Sequence, residues 1–159
     1  MKLLATTPEQ THELGRRLAT LLRPGDLIVL TGPLGAGKTA LTQGIGDGLK
    51  VAGDVTSPTF VIARVHRPDS ERGGRFPLVH ADAYRLDGVL EVDQLDLDTE
   101  LADSVTVVEW GAGMVEQLAA DRLEITIAAD PATEVRELEL NPVGGDWRQR
   151  ITQAFSAAQ

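Results

Sequence analysis

The segment Gly32–Thr39 constrains this chain more than any other stretch. It fits the pattern G-x-x-x-x-G-K-[ST] at every fixed position. The run before it, Asp26–Thr31, is apolar and partly β-branched, which predicts a buried strand. After it, Leu41, Ile45 and Leu49 recur at intervals of four, which predicts one face of a helix. Strand, glycine loop and helix in this order are typical of a phosphate-binding loop.

This arrangement suits phosphate for physical reasons. Glycines let the backbone curl so that successive N–H groups point into one concavity, and the helix N-terminus adds partial positive charge. The Lys38 ammonium can reach the β- and γ-phosphates of a nucleotide, and the Thr39 hydroxyl can coordinate Mg²⁺. A chance match is the alternative, and the flanking strand and helix argue against it. The predicted nucleotide-binding residues of this segment are Gly32, Pro33, Leu34, Gly35, Ala36, Gly37, Lys38, Thr39 and Ala40.

The composition indicates one domain spanning residues 1–159. Hydrophobic residues make up 42% of the chain and charged residues 25%, which are ordinary globular values. The absence of cysteine excludes disulfides, thiolate metal sites and cysteine nucleophiles, and fits a cytoplasmic protein. The sequence predicts no signal peptide, and no apolar run approaches the ~20 residues that a membrane span requires.

The formal net charge of −9 bears on the partners of the chain. A surface of that sign repels phosphate backbones, so binding of nucleic acid by this chain alone is not expected. If the protein takes part in nucleic-acid metabolism, we expect a basic partner to hold the nucleic acid.

Hydrophobic periodicity predicts an α/β fold with a mixed parallel/antiparallel sheet flanked by helices. Together with the glycine segment, this indicates a single-domain P-loop NTPase fold. The predicted strands are an edge strand at Lys2–Ala5, then Asp26–Thr31, Phe60–Val65, Phe76–Asp82 and Val105–Trp110, and an antiparallel hairpin of Leu123–Ile127 with Val135–Leu140 around Pro131. Helices are predicted from Pro8, after Gly37, in part of Glu91–Leu101, at Met114–Ala120 and at Trp147–Phe155.

Two details of the predicted helices can be tested by a structure. The first helix carries Thr7 as its N-cap, Pro8 at its first position and Gln10 as the partner that completes a capping box. The helix after the loop carries three glycines, Gly44, Gly46 and Gly48. Since each costs up to ~1 kcal/mol of helix propensity, we interpret them as sites of close packing against the sheet.

Two acids stand at the carboxyl ends of predicted strands, where open α/β sheets bind ligands. Asp82 and Glu109 are each either a cap for the following turn or part of the site, and their occurrence as a pair favours the site. His80 shares a strand face with Asp82 and is either a polar neighbour of the acid or a hydrogen-bonded core histidine, with preference for the core. Trp110 either packs in the core or stacks near the nucleotide.

Two loops have both a plain and a functional interpretation. Ser57, Pro58 and Thr59 form either a turn with satisfied backbone groups or a loop that senses the γ-phosphate, and the pattern does not separate the two. The polar segment Arg67–Pro77 predicts a hairpin loop, and its arginines are interpreted as solvated charges in preference to a phosphate-binding finger.

Four blocks in this order and spacing resemble the TsaE (YjeE) family, the bacterial ATPase needed for the threonylcarbamoyladenosine modification of tRNA. The likeness extends from Leu14 to Arg136 and includes His80, Tyr84 and Arg85. The blocks are Gly32–Thr39, Ser57–Phe60, His80–Leu86 and Val108–Trp110. The resemblance implies a small mixed-sheet P-loop fold, weak ATP hydrolysis, and assembly with the TsaD and TsaB proteins, so that tRNA is met only through partners.

The resemblance also implies roles for single residues. Lys38 and Thr39 correspond to the loop residues that hold phosphate and metal, and Glu109 corresponds to a Mg²⁺ ligand. Asp82 corresponds to the acid of the His-x-Asp-x-Tyr-Arg block. Ser57, Pro58 and Thr59 correspond to a switch, and Arg136 and the helix start at Pro8 correspond to positions near the nucleotide.

The leading hypothesis is therefore a Mg²⁺-dependent ATPase that resets a tRNA-modifying complex by binding and release. A small-molecule kinase is the second hypothesis, against which stands the lack of an arginine-rich lid segment. A nucleotide-gated binding module without catalytic importance is the third. A GTPase is disfavoured, because the chain contains no Asn-Lys-x-Asp segment.

Overall fold

A computed structural model describes residues 1–33, 37–53, 63–82, 103–109 and 121–156. Its strands are β1 (Lys2–Ala5), β2 (Leu27–Thr31), β3 (Ala63–His66), β4 (Leu78–Asp82), β5 (Val105–Glu109), β6 (Arg122–Ala129) and β7 (Arg136–Val143). Its helices are α1 (Pro8–Ala19), α2 (Lys38–Leu49) and α3 (Trp147–Ser156), with a 3-10 turn at Ser70–Arg72.

The described strands form one seven-stranded sheet in the order β1-β7-β6-β2-β5-β4-β3. The strand β2 runs parallel to both of its neighbours, β5 and β6, and β4 runs parallel to β5. The pairs β1–β7, β6–β7 and β3–β4 are antiparallel. The predicted α/β fold with a mixed sheet is confirmed, as are the edge strand β1 and the hairpin of β6 with β7.

The central strands are apolar because they are covered on both sides. Four of the five residues of β2 and all five residues of β5 are buried, as expected for the parallel centre of a sheet. Leu41, Ile45 and Leu49 of α2 are buried as their spacing predicts. The strands β6 and β7 extend beyond the predicted hairpin to Ala129 and Val143.

The predicted boundaries differ elsewhere in small ways. The strand predicted at Phe76–Asp82 begins at Leu78, and the described part of the strand predicted at Phe60–Val65 is Ala63–His66. The predicted helices at 91–101 and 114–120 lie outside the described residues.

The start of α1 follows the prediction with one shift. Thr7 is the N-cap, its Oγ1 accepts a hydrogen bond from the Gln10 backbone N–H at 3.1 Å, and Pro8 is the first helical residue. The Gln10 side chain, however, accepts from the backbone N–H of Thr6 at 2.7 Å and from the Thr6 hydroxyl at 2.8 Å. The capping box predicted with Thr7 is therefore wrong by one residue, because Thr6 offers the Gln10 oxygen two donors.

Gly44 and Gly48 of α2 pack against α1, which corrects the packing against the sheet that was predicted for these two glycines. A Cβ atom on Gly44 would overlap the backbone carbonyl oxygen of His12, and one on Gly48 would overlap the Ala19 Cβ. On the opposite helix, a Cβ on Gly15 would overlap the Leu41 carbonyl oxygen. Close approach of the two helix backbones thus requires glycine on both sides, and it fixes α1 beside the helix that follows the loop.

Candidate functional site

The carboxyl ends of β2, β5 and β4 meet at one edge of the sheet because these strands are parallel neighbours. Glu109 at the end of β5 pairs in register with Leu30 of β2 and with Asp82 of β4. Adjacent strands lie about 4.8 Å apart, so Glu109 is one strand from the start of the glycine segment and Asp82 is two. Both acids therefore lie at the sheet edge where the segment from Gly32 begins.

The described part of the glycine segment leads directly into a helix. Gly32 is buried, Pro33 is exposed, and Gly37 has φ +111° and caps α2. A positive φ of this kind favours glycine, which has no Cβ to clash with the backbone. The helix begins at Lys38, and its first N–H groups carry partial positive charge toward the segment.

The Lys38 side chain lies within the segment rather than in solvent. The residue is 6% exposed, and its Nζ donates to the Gly32 carbonyl oxygen at 2.6 Å and to the Pro33 carbonyl oxygen at 3.3 Å. A buried ammonium is costly unless polar or anionic groups surround it. The two carbonyl oxygens hold the ammonium beside the start of α2, a position from which it can meet a phosphate group bound at the segment.

The residues after Lys38 differ in what their side chains are able to bind. Thr39 and Ala40 are half-buried at the start of α2. Thr42 is also near, but its Oγ1 donates to the Lys38 carbonyl oxygen at 2.8 Å and is engaged within the helix. Thr39 is therefore the hydroxyl of this turn that suits a metal–phosphate ligand.

Glu109 has a buried partner. The Glu109 residue is 4% exposed, and its Oε2 lies 3.4 Å from Nε2 of His80, which is fully buried. His80 is thus the polar neighbour of an acid, but the acid is Glu109 on the next strand. The preferred alternative, a hydrogen-bonded core histidine, finds no support, since neither ring nitrogen has a hydrogen-bond partner in the described part of the chain.

The first turn of α1 and the start of β7 also reach this edge. A Cβ at Gly37 would lie 3.6 Å from Cγ2 of Thr11, so the turn that begins at Pro8 packs beside the end of the segment. Arg136 is half-buried and pairs with Ala5 at the end of β1. Its strand is two positions from β2, a lateral separation of about 10 Å, and Arg136 pairs with Ala129 beyond the level of Thr31.

Thr11 was not among the predicted site residues, although a signal existed. It is buried, and its spacing of three from Leu14 and seven from Leu18 puts it on the apolar face of α1. A polar residue on such a face, one turn after the cap at Thr7, indicates a contact that the first helix makes with another element.

Nine predicted site residues lie outside the described residues: Leu34, Gly35, Ala36, Ser57, Pro58, Thr59, Tyr84, Arg85 and Trp110. Asp82 is placed by its backbone pairing.

The acids and histidines of the described residues do not supply a complete set of metal ligands. Within that part of the chain no group of three or more His, Asp or Glu side chains converges. Mg²⁺ fits such a sparse set, because it is commonly held by one or two protein oxygens together with phosphate oxygens and water. Thr39 and Glu109 are suitable donors for that mode of binding.

Comparison with known proteins decides the family. The sequence model of one family, described as "Threonylcarbamoyl adenosine biosynthesis protein TsaE", matches residues 5–138. The chain belongs to the TsaE family. The predicted resemblance is thereby confirmed, and with it the link to threonylcarbamoyladenosine biosynthesis that the family description states.

Individual TsaE relatives agree with this assignment. A protein of Streptomyces coelicolor named "tRNA threonylcarbamoyladenosine biosynthesis protein TsaE" is 59% identical over 140 residues, covering 86% of this chain and 93% of the relative. A Bacillus subtilis protein of the same name is 37% identical over 148 residues, covering 92% and 89%. The solved structure titled "Crystal structure of Bacillus subtilus YdiB" superposes with a TM-score of 0.79 at 30% identity, covering 100% of this chain and 96% of that one.

No helix among the described residues is both long and apolar enough to cross a membrane.

Proposed function

We propose that this TsaE-family protein binds Mg²⁺–ATP at the segment Gly32–Thr39, hydrolyses it slowly, and supports the threonylcarbamoyladenosine modification of tRNA by a cycle of binding and release. The family assignment supports the pathway. The nucleotide chemistry is supported by one observation above all: a buried lysine ammonium at 2.6 Å from the Gly32 carbonyl oxygen, at the N-terminus of a helix that a left-handed glycine begins.

Each residue at the sheet edge has a proposed role. Lys38 stabilises charge on the γ-phosphate, and backbone N–H groups of the segment hold the other phosphate oxygens. Thr39 and Glu109 contribute oxygen ligands to Mg²⁺, and Asp82 positions the attacking water or a metal-bound water. Mg²⁺ held by Thr39 and Glu109 would supply positive charge that offsets the negative charge of the phosphate groups.

Further positions complete the proposed nucleotide site. The turn from Pro8 and the side chain of Arg136 lie near the nucleotide. Ser57, Pro58 and Thr59 act as the switch that is ordered by the γ-phosphate and released after hydrolysis.

The proposed partners are the TsaD and TsaB proteins, with tRNA reached only through them, in the cytoplasm. The net charge of −9 supports this division of labour, because an acidic surface does not by itself attract a phosphate backbone. In the nucleotide-bound state the ordered switch docks on the partners, and hydrolysis lowers that affinity and frees the protein for another cycle.

The proposal is tested by separating nucleotide binding from turnover. We expect Asp82→Ala to bind ATP but to release no phosphate, since positioning of water is lost while the phosphate contacts remain. The variant is also expected to stay on immobilised TsaD and TsaB in ATP, whereas the wild-type protein dissociates as ATP is consumed.

Three results would contradict the proposal. Wild-type turnover by Asp82→Ala would remove the assigned role. Full modification of tRNA with a non-hydrolysable ATP analogue would favour a binding module without catalytic importance. Transfer of phosphate to an added small-molecule acceptor would favour a kinase.

A further inference from the structure

The contact between His80 and Glu109 joins two buried polar side chains of neighbouring strands. His80 pairs in register with Val107 on β5, so it lies one diagonal step from Glu109 on the same face of the sheet. The distance from Nε2 to Oε2 is 3.4 Å, and the side chains are 0% and 5% exposed. The imidazole therefore lies against the Glu109 carboxylate on the β4 side, opposite to β2.

Packing alone does not account for a histidine at this position. In the described part of the chain neither His80 nitrogen has a hydrogen-bond partner. A buried polar atom without a partner loses its hydration and gains nothing in return. A leucine would occupy similar space without that penalty. What a histidine offers here and a leucine does not is the polar contact with Glu109.

We propose that His80 is a positioning residue for the magnesium ligand Glu109. The 3.4 Å approach of Nε2 to Oε2 is longer than an ordinary hydrogen bond, and in this proposal it closes to one when Glu109 binds the metal, so that one carboxylate oxygen faces the ring and the other is left for Mg²⁺. This inference rests on the proposed function, in which Glu109 binds Mg²⁺. Carboxylates that ligate metals are commonly hydrogen-bonded in turn, and loss of such a partner typically lowers metal affinity by about 10- to 100-fold.

Two substitutions distinguish a donor at Nε2 from a space-filling ring. The amide nitrogen of His80→Gln lies where Nε2 lies, whereas the shorter amide of His80→Asn corresponds in position to Nδ1 and does not reach the carboxylate. A third variant, His80→Leu, removes every donor and keeps the volume. The matched control is Thr106→Val, which removes another fully buried, unpartnered polar atom of the described residues. Thr106 lies three positions from Glu109 on the same strand and therefore faces the opposite side of the sheet.

The measurement is calorimetric titration of a non-hydrolysable ATP analogue, first in EDTA and then at increasing Mg²⁺, together with the thermal unfolding temperature. We expect the affinity in EDTA to be unchanged in all variants. We expect the apparent Mg²⁺ affinity of the complex to fall about tenfold or more in His80→Leu and His80→Asn and to be kept in His80→Gln and Thr106→Val. His80→Leu should unfold at or above the wild-type temperature.

Two outcomes would overturn the inference. Wild-type Mg²⁺ dependence in His80→Asn overturns it, as does an equal loss in the Asn and Gln variants, which would indicate a structural role. If His80→Leu does not fold, the Asn and Gln pair decides. If the wild-type protein itself gains no affinity from Mg²⁺, the proposed function fails, a result distinct from failure of the His80 role.

Discussion

Replacement of Gly44 by alanine tests how α1 and α2 are held together beside the site. A Cβ at this position would overlap the carbonyl oxygen of His12 and would lie 2.8 Å from the His12 carbonyl carbon and 3.1 Å from the Gly15 Cα. All three contacts are backbone atoms, which no side-chain rotation relieves. The two helices would have to separate.

Two opposing effects set the expected magnitude. Alanine gains about 1 kcal/mol over glycine in the interior of a helix. Overpacking of a tight contact typically costs 1–3 kcal/mol, and a backbone overlap belongs at about the upper end of that range. The net loss is about 2 kcal/mol, which for a domain of this size lowers the melting temperature by roughly 4–8 °C.

Thermal and urea unfolding of Gly44→Ala measure this loss. Gly15→Ala, on the facing helix, is expected to destabilise in the same way, and the double variant should lose less than the sum, because one separation of the helices relieves both overlaps. Because Thr11 of α1 contacts the end of the glycine segment at Gly37, affinity for nucleotide should fall as well. A Gly44→Ala protein that melts at or above the wild-type temperature would contradict this prediction. The gain in helix propensity would then exceed the cost of the overlap with His12.

Two further predictions concern the attachment of α3. Arg150 forms a bidentate ion pair with the half-buried Asp26 at 2.8 and 3.1 Å. Arg150→Met should cost about 2 kcal/mol, because Asp26 loses two charge-assisted hydrogen bonds and keeps the one from the Arg23 backbone N–H. The exposed Arg148→Met on the same helix should change stability by less than about 0.5 kcal/mol in urea unfolding. The pKa of Asp146 is lowered below its ordinary value near 3.8, chiefly by a hydrogen bond from Arg23 and against the effect of burial, with the charge of Arg150 adding to it. The ionised carboxylate therefore stabilises the fold at pH values above its unfolded-state pKa. That stabilisation is lost as the pH falls through the lower pKa of the folded state. In Asp146→Asn, the free energy of unfolding should therefore decrease less steeply below about pH 4. Equal stability of Arg150→Met and Arg148→Met would contradict the role of the Arg150–Asp26 ion pair. The same decrease in unfolding free energy at acid pH in Asp146→Asn and the wild type would contradict the role of Asp146.

The parts that the sequence predicted well are those fixed by local chemistry. The buried strand β2, the helix α2 with Leu41, Ile45 and Leu49 inward, and the cap at Thr7 follow from patterns within a dozen residues. The acids Asp82 and Glu109 could be placed at strand ends for the same reason, because parallel strands bring their carboxyl ends to one edge.

The parts that it missed depend on how distant segments meet. The contact of His80 with Glu109 follows from the register of β4 on β5, which no local pattern specifies. The glycines of α2 indicate a close neighbour but not its identity, and a sheet or a helix would serve equally until the chain is folded. The partner of Gln10 shifted from Thr7 to Thr6 because two donors of Thr6 compete for one side-chain oxygen.

Lys38 and the start of α2 are proposed to bind Mg²⁺–ATP, and calorimetric titration of the protein with Mg²⁺–ATP measures that binding. The three proteins to compare are the wild type, Lys38→Ala, and Lys50→Asn as the control. Lys50 lies at the far end of α2, about 18 Å away, in a left-handed conformation that asparagine tolerates. We expect saturable heat for the wild type and Lys50→Asn and none for Lys38→Ala. Absence of heat with the wild type, or equal binding by Lys38→Ala, would contradict it.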